Sequence, residues 1–242
     1  FLGPIITSWG VGIVFGWKII FPVYAATSLI ALIWLWLTPI KESERGEAVS
    51  FRVTLGLFKD KYIVAFFIGI LVLVGVDVGM NTTFPKLLME KAGLALNEAG
   101  LGNSVYFFAR TLGALGGGVF LLKYPEQKFF KYSVFLAVIG LIAMLLSGNM
   151  WVMLVSVVIF GLGYANLFSI IFSLSLKRVP DKANEVSALL IMGVSGGAIL
   201  TPVLGVMSDI FGTQLAALAV IAIVWLYMIW LVSLMKKTIP KP

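Results

Sequence analysis

Long apolar runs separated by short polar clusters set the pattern of this chain. Segments 1–15, 17–38, 62–85, 97–122, 128–147, 150–175, 184–208 and 211–235 are apolar, and apart from the short first one each approaches or exceeds the ~20 residues that a helix needs to cross a bilayer. The runs are continuous, whereas a barrel strand would alternate. Since only helices and closed barrels satisfy the backbone in lipid, the pattern selects helices. The expected fold is an all-α membrane protein, a polytopic helical bundle with eight transmembrane helices.

The polar connections are short except for one. Residues 39–61 include "KESERGEAVSFRVTLGLFKDK", charged in both signs, and the second half has the apolar spacing of an interfacial helix. This stretch reads as a linker between two bundles, with two helices in 1–38 and six in 62–242. A six-helix unit is half of a common secondary-transporter architecture. Four further helices of the same protein are therefore expected ahead of Phe1.

Composition agrees with the pattern and narrows the chemistry. Hydrophobic residues make up 60% of the chain, charged residues 12%, and cysteine and histidine are absent. That removes disulfides, thiolate nucleophiles, the usual zinc sites and imidazole relays, so proton chemistry must use carboxylates. The formal charge of +7 does not imply nucleic acid, because the basic residues form no stripe with interleaved aromatics. They follow topology instead. Lys41, Arg45, Arg52, Lys59 and Lys61, then Lys123, Lys128 and Lys131, then Lys177, Arg178 and Lys182, and finally Lys236, Lys237 and Lys241 fall on one side; Lys18, Lys86 and Lys91 fall on the other. The excess marks the cytoplasmic side, which puts both chain ends inside the cell.

Of the acidic residues, Asp77 alone lies well inside a span, in "LVGVDVGMNTTFPK". An ionised group there costs about 3 kcal/mol, so it is expected to face a cavity or a partner. Asn81 and Phe84 follow at i+4 and i+7, putting carboxylate, amide and ring on one helix face. That mixture suits a sugar, whose hydroxyls need donors and acceptors and whose apolar face stacks on aromatics. The structural alternative is an ion pair with Gly75 and Gly79 marking close helix packing. On the next helix Asn103, Tyr106 and Arg110 share a face in "NSVYFFARTLG", and Arg110 is the expected partner of Asp77. The pair either breaks during transport or permanently neutralises both charges. Asn166, Ser169 and Ser173 form a third polar face, read as sugar contact at Asn166 or as interhelical hydrogen bonding. In "MGVSGGAILTP", Gly193, Ser195, Gly196, Gly197 and Pro202 suggest a flexible or kinked gating segment, with tight packing as the alternative. Asn81-Thr82-Thr83 has glycosylation spacing but lies in or near lipid beside Pro85. The glycines of "LGALGGG" lack the lysine and the strand of a phosphate loop, and nothing at catalytic spacing supports an enzyme.

"GPIITSWGVG" followed by "GWKIIFPVYAATSLI" resembles the fifth and sixth helices of the major facilitator superfamily. "GVDVGMNTTFPKLLMEKAGL", with "GLGYANLFSIIFSLSLKRVPDKANEVSALLIMGVSGGAILTPVLGVMSD", resembles the sugar:proton symporters of its fucose-galactose-glucose permease branch. The resemblance implies helices five to twelve of twelve, a bacterial inner-membrane location, a monosaccharide as substrate, the bilayer as surroundings, and a proton as coupling ion without a cofactor. Between helices eight and nine, where many members carry an acidic-arginine signature, this chain has "GGGVFLLKYPEQKFFKYS" and no Asp-Arg pair. The family's coupling carboxylates lie mainly in its first six helices, so none is carried over. Two other functions stay open: an exporter of drugs or organic anions on the same fold, with Arg110 free to meet an anion, and a non-transporting sensor or assembly partner.

Overall fold

A computed structural model describes residues 18, 20–39 and 51–235. The predicted span 1–15, the first half of the polar connection and the final lysines lie outside them. Helix α1 (Ile20–Leu37) carries no charged residue, and most of its large side chains are exposed. The second half of the connection forms the short helix α2 (Phe51–Gly56) and a single 3-10 turn, Leu57–Lys59.

The remainder is a bundle built on α3 (Lys61–Ala92), followed by α4 (Leu96–Leu121), α5 (Glu126–Leu146), α6 (Met150–Tyr164), α7 (Leu167–Arg178), α8 (Ala183–Met192), α9 (Gly196–Phe211) and α10 (Gln214–Met235). Six units, Lys61–Ala92, Glu98–Leu121, Glu126–Leu146, Met150–Arg178, Pro180–Phe211 and Gln214–Met235, are long and apolar enough to cross a membrane. Two of them contain breaks. Helix α6 gives way to α7 at Ala165 and Asn166, and a 3-10 turn at Gly193–Ser195 separates α8 from α9. Among the described residues there is no strand.

Helix α3 is the most buried span and packs against α4, α7, α9 and α10, while α5 packs on α6 and α10. Small residues set the closest crossings, as expected where apolar lipid gives helices little reason to associate except close packing. A methyl added at Gly196 would fall on the Leu71 carbonyl of α3, and one at Gly140 would lie 2.6 Å from the Phe160 amide nitrogen. The core is aromatic where α4, α6 and α10 meet: Phe160 lies between Tyr106, Tyr164 and Trp225, with centroids 5.4 to 6.0 Å away.

One boundary departs from the sequence pattern. The span expected to end at Pro85 runs on to Ala92 as regular helix and stops at Gly93, whose φ of 66° and N–H bond to the Met89 carbonyl make a left-handed cap. Proline inside a helix removes the donor to the carbonyl four residues back, here Asn81. The Asn103 side chain of α4 supplies the missing donor, with Nδ2 2.9 Å from the Asn81 oxygen. A neighbouring helix thus keeps α3 continuous through its proline, as membrane helices require.

Candidate functional site

The polar face at the middle of α3 meets that of α4. Arg110 donates from a terminal guanidinium nitrogen to Oδ1 of Asp77 at 2.6 Å, and the Tyr106 hydroxyl donates to the same oxygen at 2.7 Å. Tyr106 is fully buried, whereas the Arg110 and Asp77 side chains keep 26% and 20% of their surface exposed. The pair is therefore braced from below and open on one side. Charge-assisted bonds of this length are the strong kind, and an ion pair exposed to hydrocarbon is costly.

A residue beyond the sequence expectation completes the brace. The guanidinium carbon of Arg110 lies 4.6 Å from the ring centroid of Tyr164, with the Tyr106 and Phe107 rings at 5.6 and 5.9 Å. Tyr164 is fixed in turn by its hydroxyl, which donates to the Leu73 carbonyl on α3 at 3.0 Å. Its signal in the sequence was an aromatic two residues before Asn166, in "GLGYAN", but nothing local ties that ring to an arginine more than fifty residues away. Cation–π contact of a desolvated guanidinium is worth about 1 to 2 kcal/mol.

The other candidates divide. Asn81 and Asn103 sit beside the pair, partly buried, and form a relay: Asn81 Nδ2 donates to the Asp77 carbonyl at 2.9 Å, and Asn103 to that of Asn81. Both amide oxygens, and the Ser104 hydroxyl, are buried without a partner. Phe84 shares the helix face but is 1% exposed, and its ring packs where Gly102 of α4 makes room. Asn166 is 7% exposed at the α6–α7 break. Its Nδ2 donates to the Gly113 carbonyl of α4 at 2.7 Å, and a methyl at Gly117 would fall on the same amide. Phe84 and Asn166 are therefore both buried in helix–helix packing.

Ser169 and Ser173 lie a turn or more further along α7. They line a cleft with Phe168, Phe172, Leu176 and Lys177, and Ser173 donates to Glu126 at 3.1 Å. In the suggested gating segment, Gly193, Gly196 and Gly197 press on Ile70, Leu71 and Val78 of α3, while Ser195 and Pro202 are exposed. The helix is broken there, and its small residues face the helix that carries Asp77.

The bundle is also pinned at its rims. At the start of α3, Asp60 accepts the Tyr62 N–H at 2.8 Å, as a helix cap, and the Arg178 Nε–H at 2.8 Å. Burial pushes the Asp60 carboxyl up, but the hydrogen bonds from Arg178 and the Tyr62 amide outweigh it and hold the group below the usual carboxylate range. Glu126 accepts from Lys177 at 2.7 Å. At the far end of α3, Glu90 accepts from the Thr213 hydroxyl and, at 2.6 Å, from the Gln214 amide that opens α10.

Comparison with known proteins decides the family. The sequence model of the Major Facilitator Superfamily matches residues 66–242. This chain belongs to the major facilitator superfamily. It is an integral membrane protein of a transporter family, not an enzyme family. Over 198 residues it is 27% identical to the glucose/galactose transporter of Brucella abortus biovar 1 strain 9-941, and equally to that of strain 2308. The match covers 80% of this chain and 47% of the relative, so the chain spans about half the length of the curated relatives it matches. In fold it is similar to the major facilitator transporter FucP in the outward conformation, with a TM-score of 0.73 at 17% identity, covering 90% of this chain and 54% of that one. A second structure, of the E. coli fucose:proton symporter FucP, gives the same score at 18% identity.

Proposed function

We propose that residues 62–242 form the C-terminal bundle of a proton-coupled monosaccharide transporter of bacterial inner membranes, working by alternating access. The observation that carries this is the half-open pair of Asp77 and Arg110, with Asn81 and Asn103 beside it, which offers donor and acceptor together at mid-span with no net charge. A neutral polyol suits such a site better than a drug or an organic anion, because Arg110 is already matched by Asp77. The glucose/galactose transporters among the relatives point to the same substrate class, and the fucose:proton symporter suggests the coupling ion.

In this reading residues 39–61 link the bundle to an N-terminal one, to which 1–38 contribute, and both ends of the chain are cytoplasmic. The α8–α9 break, pressed on α3 through Gly193, Gly196 and Gly197, is the segment that flexes. Asp77 keeps the site neutral, and proton coupling resides in the opposite bundle. The test is uptake of a panel of hexoses into vesicles under an imposed pH gradient. Accumulation that follows the gradient is expected, whereas hexose binding without gradient-driven uptake would remove the symporter reading.

A further inference from the structure

The ion pair also bears on which sugars the site admits. Among the described residues, Asp77 and Arg110 are the only charged side chains well inside a span. Arg110 gives one N–H to Asp77 and holds its guanidinium carbon 4.6 Å from the Tyr164 ring centroid, yet a guanidinium carries five N–H donors in a fork that matches a carboxylate. With 26% of its side chain exposed, it is by itself a carboxylate receptor. The group beside it opposes that role. Asp77 is an anion bonded to it at 2.6 Å.

Resting on the monosaccharide function above, we propose that Asp77 is the charge-selectivity residue of this site. It cancels Arg110, and its second carboxylate oxygen accepts from hydroxyl donors, so the site takes neutral hexoses and rejects the corresponding uronic acids. A uronate carboxylate brought near Arg110 meets Asp77 at a few ångströms. With Arg110 already matched, the carboxylate gives up hydration without gaining a net opposite charge, which weakens binding on the order of tenfold or more. Removing the charge of Asp77 while keeping its shape reverses the preference, because the freed guanidinium then gains a bidentate partner.

The whole protein in proteoliposomes is tested with labelled D-galactose, competed by unlabelled D-galactose or by D-galacturonate, which has the same ring stereochemistry and a carboxylate at C6. In the wild type galacturonate is expected to compete at least about tenfold more weakly. In Asp77→Asn that gap closes or inverts, and in Asp77→Asn with Arg110→Gln the gain for galacturonate disappears. Equal competition in the wild type overturns the proposal without needing any variant to fold, and so does a folded Asp77→Asn protein that discriminates as the wild type does. Wild-type protein that binds galactose but not selectively removes only the charge selectivity. Protein that binds neither sugar removes the monosaccharide function and this inference with it.

Discussion

The bundle uses the trio of aspartate, arginine and tyrosine twice, and the two copies do different work. At mid-span, Arg110 meets one oxygen of Asp77 while its guanidinium carbon lies 4.6 Å from the Tyr164 centroid; at the rim, Arg178 meets Asp60 while its guanidinium carbon lies 4.1 Å from the Tyr62 centroid. The distances are nearly equal, so surroundings make the difference. Asp60 also caps a helix and reaches water, where a broken pair is resolvated. Asp77 sits mid-span, where a broken pair is open on one side alone, and removing one partner leaves an uncompensated charge among buried rings. The same residues are thus a minor fastening at the rim and a necessity at the centre.

The largest effect is therefore expected at the centre. Asp77→Ala, which orphans Arg110 and the Tyr106 hydroxyl together, should cost about 3 to 5 kcal/mol, seen as a large fall in the unfolding temperature in detergent. Adding Arg110→Gln to Asp77→Asn should restore much of that loss. A double variant as unstable as the sum of the single ones would mean the two side chains do not depend on each other.

Next comes the patch over Pro85. Asn103→Ala should destabilise by about 1 to 3 kcal/mol, because the Asn81 carbonyl loses its donor. In a Pro85→Ala background the backbone N–H of residue 85 takes over, and the same substitution should cost clearly less. Equal costs in both backgrounds would show that the bond to the Asn81 carbonyl is not what Asn103 contributes.

At the rim the effect is smaller and depends on pH. Asp60→Ala should cost about 1 kcal/mol at neutral pH, the size of a lost helix cap. The folded-state pKa of Asp60 lies below its unfolded value, so its contribution is complete above the unfolded value and fades as pH falls through the folded one. The gap between wild type and variant should therefore close as unfolding is followed toward pH 3; a gap that widens would reverse the sign. Smallest of all, Lys177→Gln removes a pair whose lysine is 61% exposed and should stay within about 0.5 kcal/mol.

These contrasts also mark what the sequence could tell. Span lengths follow from hydropathy alone, because lipid enforces them, and the shared faces of Asp77 with Asn81 and of Asn103, Tyr106 and Arg110 follow from helical periodicity. What lay beyond reach were features settled between helices. The continuation of α3 past Pro85 depends on a donor from α4, and the break at Ala165 and Asn166 carries no proline. The Tyr164 ring joins Arg110 only because α4 and α6 cross through Gly113 and Gly161. The polarity of Asn166 is legible in the sequence, and its packing against Gly113 and Gly117 is not.

Helix α3 has a mechanical consequence. Its 32 residues reach about 48 Å, well beyond the ~30 Å of hydrocarbon, with Asp77 at its midpoint. One tip is lashed to α7 through Asp60 and Arg178, the other to α10 through Glu90. Fastened at both ends, α3 tilts together with α7 and α10, and any such tilt carries the carboxylate at its centre with it.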